Sequence, residues 1–137
     1  NVADGLRRLI NSAERAGDMK IGLTTDPTLP RIPEKVEDEL IRIAQEALQN
    51  ALRYGEGTEI TIELHAMNGD GVNLSISDNG RGFNTNTINP GYGLIGMRER
   101  AECIGAAMTI ISEPGYGTQI IVSWTPPQIN QGSLDAN

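Results

Sequence analysis

Residues 72–83 read Val72-Asn73-Leu74-Ser75-Ile76-Ser77-Asp78-Asn79-Gly80-Arg81-Gly82-Phe83. Strand alternation puts Val72, Leu74, Ile76 and Asp78 on one side, so a carboxylate ends a row of core-facing aliphatics. Burying a carboxylate is costly unless something donates hydrogen bonds to it, and the exocyclic amine of a purine is one such donor. An Asx turn entering Asn79-Gly80 would also account for Asp78, but not for the glycines behind it. These recur in Gly91-Tyr92-Gly93-Leu94-Ile95-Gly96, so five of the sixteen glycines fall between Gly80 and Gly96. Glycine lets backbone approach a ligand closely and adopt positive φ. The second cluster leads into a helical pattern, whose first N–H groups and dipole suit a polyphosphate. A Gly-x-Gly-x-x-Gly run of the dinucleotide type should follow a strand inside a βαβ unit, and this one does not; a P-loop is excluded because no Gly-Lys-Ser or Gly-Lys-Thr occurs.

Outward from this stretch the pattern is regular. Upstream, Asn68-Gly69-Asp70-Gly71 is strong hairpin chemistry between strands Glu59–Ala66 and Val72–Ser77. Before them Pro33 opens a long helix to about Tyr54, with Val36, Leu40, Ile43, Ala44, Ala47, Leu48 and Ala51 in one stripe and Gly55 and Gly57 ending it. A helix over residues 2–16, with Val2, Leu6, Leu9, Ile10, Ala13 and Ala16 facing inward, precedes a short strand at Met19–Thr25 and a proline-rich loop at 26–33. Downstream come a helix at Leu94–Ile104 and strands Met108–Ser112 and Thr118–Trp124, joined by Glu113-Pro114-Gly115-Tyr116-Gly117. This order predicts an α+β fold, with about three helices covering one face of a mostly antiparallel sheet of about five strands. The folded domain is expected over residues 1–125, with a polar, frayed tail at 126–137.

Composition narrows the functions available. A chain of 137 residues, 38% apolar, is one domain's worth and can fill a core. Eleven basic against 18 acidic residues give a net charge of −7, which argues against binding duplex nucleic acid. No apolar run approaches the ~20 residues of a membrane span. The single Cys excludes an intrachain disulfide and fits a reducing compartment. The first residue is Asn1, so the expectation is a piece of a longer protein.

On the long helix, Glu46, Asn50 and Arg53 stand at i, i+4 and i+7 and share one face bordering the apolar stripe. A carboxylate and an amide one turn apart can offer oxygens to a hard cation or orient a nucleophile. Arg53 can meet phosphate oxygens. Alone, the row reads more readily as a solvated helix face with an incidental charge pair.

Taken in order, these segments resemble the ATP-binding catalytic domain of bacterial sensor histidine kinases, which shares a superfamily with gyrase-type ATPases, heat-shock chaperones and MutL proteins. Gln45-Glu46-Ala47-Leu48-Gln49-Asn50-Ala51-Leu52-Arg53-Tyr54 is similar to the family's N box, and Asp78-Asn79-Gly80-Arg81-Gly82-Phe83 to its first glycine box. The run Gly91-Tyr92-Gly93-Leu94-Ile95-Gly96-Met97-Arg98-Glu99-Arg100-Ala101 resembles the second box of the nitrate-sensor and DesK-like kinases, and Gly115-Tyr116-Gly117-Thr118 the last box. The resemblance implies a Bergerat fold, a two-layer α/β sandwich. It implies ATP as ligand with Mg²⁺ as cofactor. Asp78 would hydrogen-bond the adenine amine, with Thr118 nearby through water. Asn50 would coordinate Mg²⁺, and Glu46 would act on the incoming nucleophile or join the metal shell. Arg53, Tyr54, Gly80, Gly82, Phe83, Gly91, Tyr92, Gly93, Leu94, Gly96 and Met97 would complete the nucleotide site, with a short lid at residues 84–90. Arg53-Tyr54 departs from the Lys-His that the subfamily often carries, keeping the positive charge as a fork.

By the same resemblance the chain is the catalytic part of a protein-histidine kinase. Its partners would be an upstream helical dimerisation domain carrying the phosphoacceptor His and, indirectly, a response regulator. The isolated domain would be a cytoplasmic monomer of a homodimeric kinase, without nucleic-acid or membrane contact, that binds ATP but autophosphorylates little. His65, on the strand face opposite Ile60, Ile62 and Leu64, reads as an exposed strand residue and not as the acceptor. Two other readings are an anti-sigma-factor Ser kinase, disfavoured by the Gly-Met-Arg-Glu-Arg helix start, and a non-catalytic interaction domain, disfavoured by intact Glu46, Asn50 and Asp78.

Overall fold

The computed structural model describes residues 1–17, 19–86 and 93–127. Three α-helices, α1 (Val2–Ala16), α2 (Glu34–Asn50) and α3 (Leu94–Cys103), pack on one face of a five-stranded sheet. The strands are β1 (Lys20–Thr25), β2 (Glu59–Met67), β3 (Gly71–Asp78), β4 (Ala107–Ser112) and β5 (Thr118–Trp124), in the order β1-β2-β3-β5-β4. All pairings are antiparallel except β1 with β2, whose parallel alignment requires a crossover, supplied by α2. The expected α+β sandwich with a mixed, mostly antiparallel sheet is therefore the observed one.

Register turns the alternation of β3 into rows that cross the sheet. Leu64, Leu74 and Val122 stand side by side, then Ile62, Ile76 and Ile120, and then Ile60, Asp78 and Thr118. The first two rows are buried under the helices. The third ends the core with two polar side chains on adjacent strands. Between β2 and β3, Gly69 and Asp70 take positive φ (76° and 62°), as a tight hairpin turn demands.

The stripe read along α2 is buried in full, from Val36 to Ala51. Leu40 is wholly inaccessible at its centre. Leu40→Ala is expected to cost about 2–5 kcal/mol of unfolding free energy, measured by urea titration, because such a cavity collapses only partly. The stripe of α1 is buried only in its first half: Val2, Leu6 and Ile10 reach the core, Leu9 and Ala13 are half-buried, and Ala16 is exposed. At the α1–α2 crossing a Cβ on Gly5 would meet the end of the Ile41 side chain.

One departure bears on function. The long helix does not run as α-helix to Tyr54; it ends at Asn50 and continues as a π turn over Ala51–Gly55, followed by Glu56 at φ 57°. Single π turns widen a helix and re-aim side chains, and they concentrate at functional sites.

Candidate functional site

A narrow cleft opens where the core ends, between the C-terminus of α2 and the Asp78–Thr118 row. Ala47, Asn50, Ala51 and Tyr54 form one wall, Ile76, Asp78, Thr118 and Ile120 the floor, and Gly82, Phe83 and Leu94 the remaining side. Seven of the residues singled out from sequence thus converge here: Asn50, Tyr54, Asp78, Gly82, Phe83, Leu94 and Thr118. Ala47, Ala51 and Ile76 were read as core positions, and Ile120 only as part of the last strand. They are one to three positions from Asn50, Asp78 and Thr118, so the periodicity that buries them also carries them to the cleft.

Asp78 is half-buried, and its Oδ1 accepts from the Gly80 amide at 2.8 Å. The Asx turn considered as the plain reading of Asp78 is therefore present, and the same carboxylate also lines the cleft. Burial pushes its pKa above the usual carboxylate value, with hydrogen bonds from the backbone of Gly80 and Thr118 opposing the rise. The neighbouring Asn79 turns away and fastens the loop: its Oδ1 accepts from Thr58 and Glu59 amides at 2.9 and 3.0 Å.

The glycine loop is gripped by the β4–β5 turn. Gly82 and Gly117 adopt positive φ (64° and 79°). A Cβ on Gly82 would collide with the Glu113 and Gly117 carbonyls, and one on Gly117 with the Asp78 carbonyl. The Gly115 amide donates to Arg81 O at 2.6 Å, and the Phe83 amide to Ser112 Oγ at 2.9 Å. Ser112, buried and not anticipated from sequence, also bonds the Gly117 carbonyl and the Thr118 hydroxyl. The only sequence signal for it is a polar residue at an inward position, two beyond Ile110.

The remaining candidates stand around the cleft and do not line it. Glu46 is half-buried one turn before Asn50. Its carboxylate lies against Gly93, the left-handed residue (φ 65°) that starts α3, where any Cβ would strike it. Gly80 is buried beneath Asp78. Arg53 is exposed, its guanidinium 5.6 Å from the centre of the Tyr54 ring. Met97 is buried in the core, and Gly96 is exposed on α3 with open space where a Cβ would stand. Gly91, Tyr92 and most of the 84–90 loop lie outside the described residues. Arg100 ties α3 to α2 through Glu39 at 3.1 Å, which fixes the helix carrying Gly93 and Leu94.

His65 is on the other face of the sheet, as expected, but it is not a lone surface residue. Its Nδ1 is 2.9 Å from Asp26 Oδ1 and its Nε2 3.2 Å from Glu63 Oε1. The Asp26 and Glu63 hydrogen bonds raise its pKa, and the His65 hydrogen bond lowers that of Asp26. Asp26 also accepts from the Ala66 amide at 2.7 Å, extending the β1–β2 pairing beyond β1. Among the described residues no helix is long and apolar enough to cross a membrane.

Comparison with known proteins agrees with this geometry. The family described as histidine kinase-, DNA gyrase B-, and HSP90-like ATPase matches residues 35–129. The sensor protein VraS of Staphylococcus saprophyticus is 40% identical over 123 residues, covering 89% of this chain and 35% of that protein. VraS of Staphylococcus aureus strain COL is 39% identical over the same shares. The chain thus spans about a third of the length of these curated relatives. Among solved structures, the blue-light activated histidine kinase of Erythrobacter litoralis has a TM-score of 0.72 at 20% identity, covering 92% of this chain and 42% of the other. The ATP binding domain of PrrB from Mycobacterium tuberculosis has a TM-score of 0.69 at 21% identity, covering 91% and 93%. These two likenesses carry the fold. A match through α2, both glycine loops and the last two strands carries the kinship, and the chain belongs to the histidine kinase-, DNA gyrase B- and HSP90-like ATPase family.

Proposed function

We propose that the chain is the ATP-binding, phosphoryl-donating domain of a two-component sensor kinase, with its folded unit over residues 1–125 and the rest a tail. The observation that carries this reading is the cleft itself. An acceptor pair, Asp78 and Thr118, sits at the floor of an apolar slot whose wall ends in Asn50. Apolar walls suit the faces of a purine ring, and the acceptor pair suits its amino group. The phosphates would extend past Asn50 toward Glu46, the start of α3 and Arg53.

Among the described residues no group of three or more His, Cys, Asp or Glu could cage a metal alone. An amide and a carboxylate one turn apart nevertheless fit Mg²⁺, which keeps waters and phosphate oxygens in most of its shell. Bound there through Asn50 and Glu46, the ion would neutralise charge on the β- and γ-phosphates. In transfer, an imidazole nitrogen of the acceptor His bonds to the γ-phosphorus while the bond to the bridging β–γ oxygen breaks, and ADP leaves with that electron pair. The imidazole N–H is oriented by Glu46, which takes its proton. The acceptor would belong to a helical dimerisation domain upstream, with a response regulator receiving the group next, in the cytoplasm. His65 is on the wrong face of the sheet for the part.

Incubation with γ-labelled ATP and Mg²⁺, with and without a His-bearing dimerisation domain of a related kinase, tests the assignment. Label is expected on the added domain and little on the chain alone. Strong label on the lone chain would overturn the reading.

A further inference from the structure

Ser112 makes three contacts whose directions can be worked out. Its Oγ lies 2.9 Å from the Phe83 amide, 3.0 Å from the Gly117 carbonyl and 2.8 Å from Thr118 Oγ1. A hydroxyl has one hydrogen and two lone pairs. The Phe83 N–H can only donate, so it takes one lone pair. The Gly117 carbonyl can only accept, so it takes the hydrogen. The remaining lone pair receives the hydrogen of Thr118. The opposite orientation would strip a buried carbonyl of this donor, since Gly117 is buried and Ser112 is only 7% exposed.

Thr118 therefore keeps only lone pairs for the cleft it lines. Its cross-strand partner Asp78 is likewise an acceptor when ionised. We propose that Ser112 is a specificity-determining positioning residue: by committing its hydrogen to Gly117, it makes Thr118 an acceptor only, so that the cleft takes a purine with an amino edge and rejects one with an oxo edge. Ser112 itself touches no ligand. The inference rests on the purine-nucleotide reading of the cleft.

The test is calorimetric titration of the chain with Mg-ATP and with Mg-ITP, which carries an oxo group where ATP carries the amine. The parent should prefer ATP. Ser112→Ala frees the Thr118 hydrogen to turn toward the oxo group, and the ATP-to-ITP affinity ratio should fall about tenfold. In a Thr118→Val background the same substitution should change the ratio no further, because its route is gone. Equal weakening of both nucleotides by Ser112→Ala would make the residue a scaffold only and overturn the proposal, as would an undiminished shift in the Thr118→Val background. If melting shows that Ser112→Ala does not fold, Thr118→Ser and Thr118→Val decide. The first should keep the parent's ratio and the second lose it, and equal ratios in the two would overturn the proposal. A parent that binds neither nucleotide overturns the purine reading itself and this proposal with it. A parent that prefers ATP while Ser112→Ala leaves the ratio intact overturns this proposal alone.

Discussion

Asp78→Asn is expected to weaken Mg-ATP binding roughly a hundredfold. The direction follows from the Asx turn. Asp78 Oδ1 already accepts from the Gly80 amide. In the variant the amide oxygen takes over that bond, and the amide nitrogen replaces the second carboxylate oxygen. It then presents hydrogens to a ligand amine that also presents hydrogens. Stability should respond differently from binding. Burial raises the Asp78 pKa above 3.8, so the stability that protonation confers is fully present below 3.8 and lost as pH rises through the folded-state value. Relative to the parent, Asp78→Asn should therefore gain stability in moving from about pH 4 to neutrality. Calorimetry gives the affinity, and thermal melts at the two pH values give the stability difference. Parent-like ATP affinity in the variant would remove Asp78 as the anchor.

Glu46→Gln is the second large effect. Gln preserves the shape that packs against Gly93 but lacks a carboxylate to take a proton. Phosphoryl transfer to an added His domain should slow by about 10²–10⁴-fold, the span of a lost general base. Nucleotide affinity measured without Mg²⁺ should stay within about threefold, since Glu46 stands outside the purine slot and no metal ligand is then lost. Rates at saturating ATP, set beside a binding titration, separate the two. An unchanged rate would reduce Glu46 to a packing contact of α3.

How far the sequence was legible follows from where each signal resides. Strand alternation from Val72 to Asp78 and the helical stripe from Val36 to Ala51 are local periodicities, and both predicted buried faces correctly. The glycines of the first loop announced tight backbone, and Gly82 there does reject a Cβ, as Gly117 does in the β4–β5 turn. What escaped is non-local. Nothing local in Lys20–Thr25 says that it runs parallel to β2. Ser112 gains its role from Phe83, 29 residues away, together with the far end of its own turn. The π turn at Ala51–Gly55 left no local trace, since the helical pattern runs through it unbroken. Half-burial of α1 likewise depends on where its neighbours stop. His65 was placed on the right face, but its bridge to Asp26 spans 39 residues and left no trace in the pattern.

The central claim is that the slot between α2 and the Asp78–Thr118 row holds a purine nucleotide. Titrating the chain with Mg-ATP while recording backbone amide resonances tests it most directly. One saturable site is expected, with the largest shifts at Ala51, Ile76, Asp78, Gly82 and Thr118 and little change along the open face at His65 and Asn73. No saturable binding, or shifts concentrated on the open face, would contradict it.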